Sequence, residues 1–154
     1  MKNKRIEINE KYKGYEYLVY ANSRGYRCGY VRIPKKHYLY GKSYFEELNV
    51  KFNRTLNPFI DSEGNVAMSV LFDVHGGITF SNKGTYAEFN KRGWWIGFDC
   101  AHSGDKPDCK LMDDKRKNKN YYEYYKSICG EIRSKEYVEQ ECKNLIDQII
   151  KYFG

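Results

Sequence analysis

Four side chains able to do chemistry crowd the stretch WWIGFDCAHSGD, Trp94 to Asp105: Asp99, Cys100, His102 and Asp105. The two aspartates and the histidine recur at steps of three, and a chain that curls after a strand can turn all of them inward. With His75, from the earlier VHGG, they could hold a divalent metal through mixed N and O ligands and activate a water for hydrolysis. Without a metal, His75 and Asp99 could supply a general base and acid. Cys28, Cys100 and Cys109 with His102 offer a zinc set whose spacings match none of the usual patterns. A plainer reading competes: an aspartate at a strand end accepts backbone N–H groups in an Asx-turn, so Asp99 and His102 could simply fix the loop CAHSGD. No activated Ser or Cys nucleophile stands out, and Cys100 falls on the apolar parity of its strand.

Strands must position these groups. Trp94 to Cys100 reads as a strand, and so does Val66 to Val74, breaking at Gly76-Gly77 and resuming at Ile78-Thr79-Phe80. Side chains alternate along a strand. Trp94, Ile96, Phe98 and Cys100 then share the core face, as do Met68, Val70, Phe72 and Val74. Trp95, Asp99, Asp73 and His75 fall on the opposite faces. If the two strands are neighbours, carboxylates, an imidazole and an exposed Trp95 indole converge on one surface. Gly76-Gly77 marks a place where backbone can approach a ligand, or a bulge; otherwise the surface is a half-solvated sheet with scattered polar residues.

Other elements follow from local pattern. Asn22-Ser23-Arg24-Gly25 separates two β-rich runs and predicts a hairpin, which Pro34 ends. A short helix is expected near Tyr44 to Leu48, and Asn49 to Asn65 is an excursion turning at Asp61 to Asn65. Ser134 is a candidate N-cap, and Val138, Cys142, Leu145, Ile146, Ile149 and Phe153 follow at helical steps. The expected fold class is α+β: a single domain over residues 1–154, a mostly antiparallel sheet with a C-terminal amphipathic helix on one face.

Composition narrows the function classes. A chain of 154 residues with 41% hydrophobic and 31% charged content can bury a core. No apolar run approaches the roughly 20 residues a membrane helix needs, and MKNKRIEINEKYKG has no apolar stretch behind it, so the chain reads as cytoplasmic. Five cysteines with no C-x-x-C pair argue against a secreted disulfide framework. The formal charge of +7 favours an anionic partner, a nucleotide, nucleic acid or acidic protein, although abundant Lys, Asn, Tyr and Ile also suit an AT-rich genome. The basic run Asp113 to Asn120 reads as a solvated loop.

Three blocks in order, CGYVRIPKKHYLYGKSY, VHGGITF and WWIGFDCAHSGD, followed by the helix, resemble an uncharacterised family of small proteins of bacteriophages, prophages and bacteria. Its members typically carry CGYV-x-x-P-x-x-HP with GK beyond, then VHGGLTY, then WWFGFDCAHAGD. The resemblance covers roughly half the chain. It takes in Cys28, Gly29, Tyr30, Pro34, His37, Gly41 and Lys42, then His75, Gly76, Gly77 and Thr79. Its last block takes in Trp94, Trp95, Gly97, Asp99, His102, Gly104 and Asp105. All three histidines stand at motif positions. The chain departs at Tyr38, where the family has proline, and in the excursion. No activity comes with the resemblance, only a site and a genomic habitat.

Two function classes remain. One is a phage-type accessory, counter-defence protein that captures an anionic, nucleotide-derived ligand or blocks a host defence protein. The ligand would meet His37, Asp73, His75, Gly76, Gly77, Thr79, Trp95, Asp99, His102 and Asp105. The other is a hydrolase, with a divalent metal or without any cofactor, using His75, Asp99, His102 and Asp105. No membrane partner is expected, and a homo-oligomer is compatible with both.

Overall fold

Aromatic and β-branched residues from Tyr15 to Ile33 build the centre of the molecule. The computed structural model describes residues 3–51, 57–117 and 121–154. β1 (Ile6–Tyr12) and β2 (Tyr15–Ala21) form a first hairpin, and β2 pairs with β3 (Arg27–Ile33) through the expected turn, where Asn22 Oδ1 accepts the amides of Arg24 and Tyr26. β4 (Glu47–Asn49) and β5 (Asn65–Ala67) make a separate small hairpin that runs into one helical turn, α1 (Met68–Leu71). β6 (Phe80–Lys83) pairs with β7 (Trp94–Asp99), and β7 with β3. The main sheet is antiparallel, in the order β1-β2-β3-β7-β6.

Beyond β7 the chain makes β8 (Asp105–Lys106), two short helices, α2 (Asp114–Lys117) and α3 (Tyr121–Ser127), and β9 (Glu131–Ile132), which pairs parallel with β8. It ends in α4 (Lys135–Phe153), capped by Ser134 Oγ accepting the Tyr137 amide. The α4 stripe Val138, Cys142, Leu145, Ile146 and Ile149 is buried against Val19, Val31, Ile96 and Phe98 of the sheet. Each fully buried aliphatic side chain contributes roughly 1.5–3 kcal/mol. The helix lies close because β3 has Gly29 there: a Cβ would sit 2.7 Å from Cys142 Sγ. The fold is thus α+β with the C-terminal helix packed on one face. No helix among the described residues is long and apolar enough to cross a membrane.

Three local expectations are corrected. Val66 to Val74 is no strand: pairing stops at Ala67, and α1 buries Met68 and Leu71 while Val70 is exposed, so strand parity does not apply. Tyr44 to Leu48 is no helix, because Glu47 to Asn49 pairs with residues nearly twenty positions downstream. The second sheet face is no solvated surface: Leu18, Tyr20, Phe89 and Trp95 form a second cluster, covered by the segment that carries Phe89. The base of the excursion is the β4–β5 hairpin, and the Asp61 to Asn65 turn is closed by Asp61 Oδ1 accepting the Glu63 and Asn65 amides. The end of the basic run, residues 118–120, lies outside the described residues.

Candidate functional site

The end of β7 and the turn after it divide the polar residues into two adjoining groups. On the α4 side, Asp105 is 3% exposed and accepts three hydrogen bonds. His75 Nε2 lies 2.8 Å from Oδ2, the His102 amide 2.9 Å from Oδ2, and Arg133 Nε 3.0 Å from Oδ1. An ionised carboxylate only accepts, so Nε2 carries the His75 hydrogen on that side. His75 Nδ1 is then free to accept from the Tyr137 hydroxyl at 2.9 Å, and the His75 amide donates to Glu141 Oε1 at 2.9 Å. Tyr137 and Glu141 stand one turn apart at the start of α4, which places both against His75. Burial, with help from the Glu141 charge, raises the Tyr137 hydroxyl above its ordinary range, so it stays protonated and can donate. Burial alone would raise the Asp105 carboxyl, but the hydrogen bonds from His75, the His102 amide and Arg133 outweigh it and hold it below its ordinary value.

On the other side, Asp99 is half-buried at the end of β7. Its Oδ1 accepts the Ala101 amide at 3.0 Å, an Asx-turn, and its Oδ2 accepts from Thr79 Oγ1 at 3.1 Å. His102 Nε2 is 3.1 Å from Asp99 Oδ1 but outside hydrogen-bond alignment. The His102 ring stands 6.1 Å from that of His75, centroid to centroid, so it links the two groups. Gly76 makes this approach feasible: a Cβ would lie 2.2 Å from His102 Nε2, and its φ of +70° suits glycine.

In front of Asp99 opens a hollow of about 380 Å³, bounded by Arg24, Tyr30, Thr79, Phe80, Asp99 and His102. Tyr30 lies across β7 because Gly97 has no side chain: a Cβ there would come within 2.4 Å of the Tyr30 ring. Arg24 is exposed, sits over the Tyr26 ring at 5.6 Å, and has no carboxylate within ion-pair distance among the described residues. Three hollows among the described residues are larger: one of about 410 Å³ beside Arg32 and Tyr40, and two, of about 800 and 660 Å³, that flank the C-terminal half of α4. The two beside α4 are lined in part by Asn57 and Lys51, which border the undescribed 52–56.

The structure therefore brings together His75, Gly76, His102, Asp105, Asp99 and Thr79. It does not bring in the others. Trp95, expected as an exposed indole at the rim, is fully buried: its parity was right, but the second face carries its own core, and its Nε1 donates to Arg92 O at 3.2 Å. His37 follows the end of β3 that pairs with the start of β7, so it lies at the opposite end of the sheet from Asp99. There it packs edge-on between Tyr15 and Phe153, with Nδ1 accepting the Leu39 amide. Tyr38, the departure from the motif, stacks on Phe153 at 5.1 Å. Asp73 is exposed and bound through its backbone to Gln148 of α4, and Gly77 lines the same hollow beside α4.

Residues that sequence reasoning missed are Arg24, Arg133, Tyr137 and Glu141. Tyr137 and Glu141 share a helix face at a spacing of four, a signal for a common neighbour but not for which one. Among the described residues, no three of His, Cys, Asp and Glu form a group that could hold a metal ion. The zinc set is scattered: Cys100 is buried in the core under α4, and Cys28 lines the hollow on the other face with its thiol pushed up by burial to about 12. Comparison of the chain with protein-family models, with curated proteins and with solved structures finds no match.

Proposed function

We propose that this chain is a binding protein that captures an anionic, nucleotide-derived ligand in the hollow between Arg24 and the Thr79–Asp99–His102 group. The observation that carries this reading is Arg24: an exposed guanidinium with no carboxylate in ion-pair distance among the described residues, beside a concave site floored by aromatic rings. A guanidinium recognises phosphate with paired donors, an aromatic floor suits a flat or sugar-bearing ligand, and Asp99 and Thr79 offer acceptors for hydroxyls. The net charge of +7 adds attraction for anions at long range. The resemblance to phage-borne proteins supports a counter-defence setting, with the protein sequestering a host signal.

The hydrolytic alternative draws less support. His75 and Asp105 satisfy one another: in the neutral imidazole Nε2–H donates to Asp105 and Nδ1 accepts from Tyr137, so the hydrogen bonds of the ring are taken up within the fold and neither nitrogen faces the hollow beside Asp99. They brace the loop that presents His102.

The test is to incubate the protein with cyclic oligonucleotides and ADP-ribose-type compounds, denature it by heat, and separate the released molecules by chromatography. Recovery of the unchanged compound, with binding that weakens as salt rises and in Arg24→Ala, is the expected result. Catalytic conversion at substrate excess that vanishes in His102→Ala or His75→Ala would make the protein a hydrolase. Failure of every nucleotide to bind, with a host protein co-purifying, would make it a direct protein inhibitor.

A further inference from the structure

The hollow beside Asp99 does not end at Tyr30. A second lobe of about 300 Å³ shares Asn22, Cys28, Tyr30 and Phe80 with it and runs toward Tyr86, Glu88 and Phe89. We infer that this second lobe is a subsite for a nucleobase and that Glu88 selects guanine. The inference rests on the proposal that the first lobe takes the phosphate-bearing part of a nucleotide.

Three observations carry it. The lobe is aromatic: Tyr30 meets Phe80 at 5.2 Å edge-on and Phe89 at 4.6 Å. Tyr86, which also lines it, is 74% exposed, the most solvent-open large hydrophobic side chain among the described residues. Such a ring offers a stacking partner to a base, because every base has a π-face. Glu88 lines the lobe too, and its Oε2 accepts from the buried Tyr20 hydroxyl at 3.1 Å. The Tyr20 hydroxyl, raised to about 12 by burial and by the Glu88 charge, remains a donor and holds that carboxylate in place. No cation lies within ion-pair distance of Glu88 among the described residues.

The charges are complementary to one ligand class. Arg24 at one end matches phosphate, and an acceptor-only carboxylate at the other matches a base edge rich in N–H groups. Guanine presents N1–H and N2–H side by side, which two carboxylate oxygens accept as a pair. Adenine sets an acceptor beside its amino group. Uracil flanks its one N–H with two carbonyls, which a carboxylate repels.

Calorimetry on the full chain with guanosine, adenosine and uridine 5′-monophosphates and with ribose 5-phosphate tests this, combined with amide NMR shifts. The guanine nucleotide should bind about tenfold or more tightly than the other three, with shifts at Tyr86 to Phe89 as well as at Thr79, Asp99 and His102. Glu88→Gln, on an exposed residue, should leave the melting temperature unchanged and bring the guanine and adenine nucleotides within about twofold of each other. Equal binding of ribose 5-phosphate and all three nucleotides, with shifts confined to the Arg24 lobe, would overturn the base subsite and leave the proposed function standing. Absence of shifts in both lobes with every probe would remove both.

Discussion

Asp105 is the residue on which the site's geometry depends. It gathers donors from three segments: His75 before β6, the His102 amide after β7, and Arg133 ahead of α4. Asp105→Asn removes the charge and puts an N–H₂ among three donors, so it should cost about 3 kcal/mol, in the range for breaking a buried charged group's partnerships. Denaturant unfolding at neutral pH measures it. Because the folded carboxyl is held below its unfolded value, its contribution is complete above the unfolded pKa near 4. It is lost as pH falls through the lower folded value. The gap between parent and Asp105→Asn should therefore narrow below about pH 4. Asp99→Asn is expected to behave differently. An amide oxygen can still accept the Ala101 amide, so the variant should melt near the parent and lose ligand binding. A large drop in melting temperature with binding intact would instead make Asp99 a turn anchor alone.

At the scale of elements, two glycine contacts set where the aromatic floor and the His102 loop can lie. Gly97→Ala would drive a Cβ to 2.4 Å from the Tyr30 ring and 2.5 Å from Gly29 O. One neighbour is backbone and cannot yield easily, so a loss of about 1–3 kcal/mol is expected, as for other overpacked positions. Amide shifts should spread along β3 and the floor of the hollow. Ser134→Ala tests the start of α4, where the cap accepts the amide of Tyr137, the residue that also holds His75. It should cost about 1 kcal/mol and raise hydrogen exchange in the first turn of α4.

Over the whole molecule, the sheet buries both of its faces, one under α4 and one under the segment that carries Phe89. That arrangement makes a thiol count informative. Cys28, Cys100 and Cys142 are buried, with thiols raised by burial, whereas Cys109 is half-buried and Cys129 exposed. Native protein should expose two cysteines to an aromatic disulfide reagent promptly and all five only after unfolding. Rapid native reaction of a third would mean that the hollow admits the reagent to Cys28 or that one sheet face is uncovered.

The sequence by itself determined the elements whose signals are local. The β2–β3 hairpin lay in its turn residues, α4 in its Ser134 cap and apolar steps, β7 in its continuous apolar run, and the α+β class in their sum. Parity along β7 was legible too, because a strand's period depends only on the backbone. Only the tertiary structure decided what covered each face. Trp95 is core because Phe89, in a turn-rich segment with no periodic signal, folds over it. Val66 to Val74 left the strand state because its pairing partner, β4, ends after three residues. His75 met Asp105 rather than Asp99 because loops have no fixed register, and Arg133, Tyr137 and Glu141 reached it through the docking of α4. Such contacts join segments far apart in the chain, and spacing along the chain carries no record of them.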